Sequence, residues 1–201
     1  MLSIQELQTA LAPHVSRFGR AVWPIWQRYL ELPQTHRLQY DLTAEANILN
    51  RYMVDNVKRE FSGLPGIEFL ERCGFMLGID TFQYGMAGVI ACRFKKLNEA
   101  GESRSFPTAR ALAIRTNNVD GLSGVPEEST IVDIGYVFNQ LRTGFTEVQA
   151  IRVAGTKFIL SIPREEDGTV TMPMPLNPTG PDTRPRFNIN PRREGSGPDE
   201  V

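Results

Sequence analysis

The sequence predicts an α+β protein, with a helical N-terminal region packed beside an antiparallel sheet of about five strands and a Pro-rich C-terminal tail. Three observations carry this. Apolar residues recur at helical spacing through the first sixty positions, and alternate at strand spacing over 86–97 and 131–162. From Met172 onward, prolines at 173, 175, 178, 181, 185, 191 and 198 interrupt every helix or central strand. The implied division is a helical region at 1–66, a sheet region at 67–165 forming one compact domain with it, and a tail at 166–201.

Ser3-Ile4-Gln5-Glu6 has the form of a capping box, and Ile4, Leu7 and Leu11 then recur until Pro13. A second helical pattern over 15–32 carries Phe18, Val22, Trp26 and Tyr29 or Leu30, with Pro24 set to break it. Trp23 and Trp26, three apart, read as a core stripe, with a partner-binding surface as the alternative. The third helix, 43–61, aligns Ala46, Leu49, Tyr52 or Met53, and Val57 on one stripe, and Asn47, Asn50, Arg51, Asp55 and Lys58 elsewhere. Ser62-Gly63-Leu64-Pro65-Gly66 stops it.

Residues 67–72 read as a short helical turn, 75–79 as a strand, and 80–85 as the connection to the best-patterned strand. There Ile90, Cys92 and Phe94 share one face, and Val89, Ala91, Arg93 and Lys95 the other, whose two cations must stay solvated or find a partner. Glu99-Ala100-Gly101-Glu102 is a turn. Pro107 suits the first position of a helix to Arg115 that turns Ala109, Leu112 and Ala113 inward. After a Gly-rich loop at 117–129, the strand 131–141 aligns Val132, Ile134, Tyr136 and Phe138. The strand 145–153 alternates poorly, which predicts a bulge, and 157–162 aligns Phe158, Leu160 and Ile162. Arg142-Thr143-Gly144 and Ala154-Gly155-Thr156 are hairpin-like turns. The tail holds few large apolar residues and reads as an extended or disordered arm.

Composition excludes some functions. The 201 residues are 41% hydrophobic and 22% charged, with a formal net charge of −1. That balance argues against a wholly basic nucleic-acid binder. No apolar run approaches the roughly 20 residues of a membrane span, and the N-terminus lacks a basic secretory n-region. The expectation is a soluble cytoplasmic protein with no membrane partner, in which Cys73 and Cys92 are free thiols. His14 and His36 stand apart from each other and from the cysteines. No metal or cofactor is therefore expected, and both histidines read as surface or helix-end residues. No Walker loop or GxGxxG occurs.

No catalytic set is evident. The least implausible polar cluster is Asp80, Lys95 and Asp133. A metal-dependent nuclease would want an acid two residues before Lys95, where Arg93 would repel the metal. Residues 93–115 instead form a basic segment, in which Arg93, Lys95, Lys96, Arg104, Arg110 and Arg115 stand against Glu99 and Glu102. Its +4 leaves −5 for the rest of the chain. The segment reads either as a solvated sheet face and helix flank or as a surface for an anionic partner, for which the scarcity of interleaved aromatics favours a protein over nucleic acid.

Several short stretches carry a resemblance. Arg93-Phe94-Lys95-Lys96-Leu97, Gly101-Glu102-Ser103-Arg104, Pro107-Thr108 and Gly121-Leu122-Ser123-Gly124-Val125-Pro126, leading to Ile134-Gly135-Tyr136, are similar to a group of small uncharacterised bacterial proteins. Members of that group tend to be encoded beside ImmA/IrrE-type metallopeptidases. The similarity spans roughly residues 75–162. It implies an antitoxin-like or regulatory role, with a metallopeptidase-type toxin or regulator as partner. The sequence thus points to a non-enzymatic interaction protein, with nucleic-acid binding through 93–115 and a metal-dependent nuclease as the alternatives.

Overall fold

A computed structural model describes residues 1–70, 74, 76–103 and 108–165. Expectations for Arg72, Cys73, Phe75, Arg104, Pro107 and the tail 166–201 fall outside these residues.

Five helices precede the sheet. α1 (Ile4–Leu11) begins on the expected capping box: the Ser3 hydroxyl accepts from the Glu6 amide, and the Glu6 carboxylate accepts from the Ser3 amide at 2.7 Å. A 3-10 turn over Ala12–His14 leads into α2 (Val15–Val22). Pro24 separates α2 from α3 (Ile25–Leu30), because proline cannot donate the next helical bond. After α4 (Gln34–Arg37), Asp41 caps the long α5 (Leu42–Phe61), whose Leu49, Met53, Val57 and Phe61 are buried. Both tryptophans pack against the core. Trp23 donates to the Ile162 carbonyl at 3.1 Å and Trp26 to that of Thr143 at 2.7 Å.

The sheet is mixed and six-stranded, in the order β1 (Ile67–Glu68), β2 (Leu77–Asp80), β3 (Val89–Lys96), β4 (Ser129–Phe138), β5 (Phe145–Arg152) and β6 (Ile159–Ser161). Two expectations are corrected here. The segment expected to make a helical turn at 67–72 begins as strand β1, paired with β2 through Ile67 and Ile79. The sheet is also not wholly antiparallel: β3 and β4 run parallel from Val89–Ser129 to Lys96–Tyr136. The cause is the connection between them, which carries α6 (Ala109–Arg115) and brings the chain back to the end where β3 began. The remaining pairs are antiparallel, including the predicted meander β4-β5-β6. The predicted bulge in β5 falls at Thr146, skipped between the pairs Val137–Glu147 and Phe138–Phe145.

The sheet has two different faces. Ile90, Cys92, Phe94, Val132, Ile134, Tyr136, Val148 and Ala150 meet Phe18, Val22, Ile25, Leu49, Met53 and Phe61 in the main core. Alternation forces their neighbours to the opposite face, where Ala91 and Ile131 lie under Ile114, Val119, Leu122 and Val125. α6 faces the sheet differently from the prediction. Ala111 and Ile114 are buried, whereas Ala109 and Leu112 are exposed and Ala113 is half-buried. Thr108 caps the helix through its hydroxyl, and the inward face is set by the packing of Ile114 against Ala91 and Ile131.

His14 is a helix-end residue, as one of its two expected places had it, and not a surface one. It ends the 3-10 turn but is only 7% exposed, among Phe18, Phe61 and Tyr84, with Nε2 3.0 Å from the Tyr84 hydroxyl. Burial holds its pKa below the ordinary imidazole value, helped by nearby Arg17. His36, in α4, is exposed.

Candidate functional site

The second face of the sheet gathers the polar chemistry. β3 places Arg93 directly opposite Asp133 of the parallel β4. Both are otherwise surrounded by apolar strand residues, so a lone cation and a lone acid meet in a buried setting. Arg93 Nε donates to one Asp133 oxygen at 2.7 Å and Nη2 to the other at 2.6 Å, a bidentate pair. The Ser103 hydroxyl donates to Asp133 Oδ2 at 2.6 Å. Arg93 has thus found a partner within the chain and is not solvated, which corrects its assignment as an exposed contact for an anionic partner: it is 4% exposed, and Asp133 2%. Desolvation of two charges is offset only where they satisfy each other, which fixes them at the floor of the site.

Two turns rise from that floor. One, 98–103, closes through Asn98 and Glu102, with the Glu102 amide donating to Asn98 Oδ1 at 2.7 Å, and is tied to the sheet by the Leu97–Ser103 bridge. The other follows β5. There Arg152 donates from Nε to the Thr156 carbonyl at 3.0 Å, and from Nη1 to the Leu2 carbonyl at 3.0 Å. Arg115 joins them from the end of α6, a position held by Asn117, whose side chain donates to the Ser129 carbonyl and accepts from the Ile131 amide, each at 2.8 Å. Between these walls lies a hollow of about 610 Å³, floored by Asp133 and Ile151 and lined by Glu102, Arg115, Arg152 and Lys157.

The predicted basic segment is therefore only partly assembled. Lys95 shares the face of Arg93 and is half-buried. Burial, with Arg93 and then Arg110 nearby, lowers its pKa against the opposing pull of Asp133. Arg110 and Arg115 are exposed on α6. Lys96 points to the other face, with its ammonium 5.1 Å from the Phe138 ring centroid. Arg104 lies outside the described residues. Asp80, Lys95 and Asp133 do not form one site. Asp80 pairs with Val89 and Asp133 with Arg93, four residues or about 13 Å further along β3. Asp80 instead accepts from the Phe82 amide at 2.9 Å. Among the described residues, no three His, Cys, Asp or Glu side chains gather as metal ligands, and no helix is long and apolar enough to cross a membrane.

Sequence reasoning missed Arg152 and Lys157, since only the β5–β6 turn brings them beside α6. One signal for the floor was present: Asp133, the one charge in the apolar strand Ser129–Phe138, and Arg93, the most central of the three cations of Val89–Lys96, call for each other. No family model, curated protein or solved structure matches the chain.

Proposed function

We propose that this chain is a non-enzymatic binding protein, antitoxin-like or regulatory, that holds a protein partner against the second sheet face. One observation carries the reading. Lys95, Arg110, Arg115, Arg152 and Lys157 gather on that face, while Asp133 is occupied by Arg93. The resulting positive field attracts and orients an anionic surface. The partner suggested by the resemblance is a metallopeptidase-type toxin or regulator, encoded beside the chain.

The test is an affinity pull-down of the full chain from its native host with mass spectrometry, with and without nuclease treatment. The expected result is a single stoichiometric protein that survives nuclease and is lost with the charge reversals Lys95→Glu and Arg110→Glu. Recovery of nucleic acid alone, or of proteins that vanish on nuclease treatment, would replace this reading with phosphate-backbone binding. Unchanged capture by the double variant would remove the second face from the interaction.

A further inference from the structure

Among the described residues, Arg152 has no acid as a charge partner. It is 9% exposed, and its guanidinium donates only to main-chain carbonyls, those of Thr156 and Leu2. Those bonds engage one N–H on each of its three nitrogens, and among the described residues no acid compensates its charge, which is costly away from water. The other two cations lining the hollow, Arg115 and Lys157, are exposed, and among the described residues no carboxylate forms an ion pair with any of the three. Of the two lining acids, Asp133 is engaged by Arg93 and Ser103, and Glu102 accepts from Asn98 Nδ2 at 3.3 Å at the outer edge. The hollow is thus a shaped concavity with an excess of positive charge. It is not a random scatter of surface lysines.

Its other lining says what kind of anion fits. Ile151, Val153 and Ala100 supply apolar wall, and among the described lining residues none is aromatic to offer a base a stacking platform. Arg152 spends one N–H of each guanidinium nitrogen on a main-chain carbonyl, so the fork it would offer any oxyanion is partly engaged and it acts chiefly through its field. Carboxylates carried on a chain with apolar side chains suit a wall that is part cation and part aliphatic.

We infer that the hollow between the 98–103 turn, the 153–157 turn and the end of α6 binds an acidic segment of the protein partner, with its carboxylates set against Arg115 and Lys157 in the field of Arg152. This rests on the binding-protein reading above and names the part of the partner that is recognised.

The test is fluorescence anisotropy with the full chain and a labelled peptide of alternating glutamate and valine. Inorganic phosphate and a single-stranded oligonucleotide serve as competitors. The expected result is saturable peptide binding that weakens with salt and is about tenfold or more weaker in Arg115→Glu/Lys157→Glu. Arg115→Gln/Lys157→Gln should fall between, and the control Arg51→Glu/Arg59→Glu, on exposed positions of α5, should match the parent. Circular dichroism confirms that each variant is folded. Equal peptide affinity in parent and Arg115→Glu/Lys157→Glu would overturn the inference. So would an oligonucleotide that displaces the peptide and itself depends on Arg115 and Lys157. If partner capture still depends on Lys95 and Arg110 while peptide affinity ignores the hollow, the inference fails and the binding-protein reading stands. If the parent captures no protein at all, the reading itself fails.

Discussion

Removing one member of the Arg93–Asp133 pair should be among the most damaging single changes on the second sheet face. Arg93 is 4% exposed and Asp133 2%, and they share two hydrogen bonds of 2.7 and 2.6 Å. Arg93→Met leaves a buried carboxylate with Ser103 as its remaining donor among the described residues, and Asp133→Val leaves a buried guanidinium without its acid. Each should cost about 3–5 kcal/mol, the range for breaking a buried pair from one side. For a domain of this size that corresponds to a loss of roughly 6–20 °C in Tm. The double variant Arg93→Met/Asp133→Val removes both charges together and should recover most of that loss, because no ion is left without a partner. Ser103→Ala removes one bond to a charged acceptor and should cost about 1.5–3 kcal/mol. Urea unfolding followed by Trp23 and Trp26 fluorescence gives all four stabilities, provided the m-values agree. Single-variant costs below about 1 kcal/mol, as for an exposed pair, would refute the reasoning. Additive single costs in the double variant would do the same.

Two further predictions concern the main core and the strand pairing. His14 is kept neutral by burial, so the unfolded chain binds its proton more readily than the folded one. Its stability contribution should be present above the ordinary imidazole value of 6.5 and lost as pH falls through the folded pKa. Urea midpoints measured across that range should decline on acidification, and a His14→Phe variant that declines equally would refute the assignment. Gly135→Ala should disrupt the β3–β4 pairing, since a Cβ there would lie 2.0 Å from the Lys95 carbonyl oxygen and 2.8 Å from Leu97 Cγ. Overpacking of this kind costs about 1–3 kcal/mol or more, and a variant with the parent's midpoint would show that the strands part at little cost.

Much of the local structure follows from short-range rules. The Ser3–Glu6 capping box, the break at Pro24, the stripe of Leu49, Met53 and Val57, and the inward set Ile90, Cys92 and Phe94 depend only on neighbours within a few residues. Periodicity and capping therefore expose them directly. The same rules mislead where a side chain answers to something distant. His14 looks like a helix-end residue, and it is buried because Tyr84, seventy positions later, closes over it. Alternation puts Arg93 opposite the main apolar face and leaves open whether it is solvated or paired; that second face is itself covered by α6 and its loops, and Asp133 pairs it there.

The sequence alone determined that the chain builds helices first and a sheet after, which face of each strand is apolar, and that positive charge concentrates in 93–115. These depend on patterns that repeat within one turn or one strand. Tertiary structure alone decided that β3 and β4 run parallel, that Arg93 is neutralised by Asp133, and that Arg152 and Lys157 stand beside Arg115 around one hollow. The physical reason is register. Which residue of β4 faces Arg93, and which turn of the chain closes over it, is set by how the crossover carrying α6 packs on the sheet. That packing is a sum over apolar contacts between residues far apart in sequence.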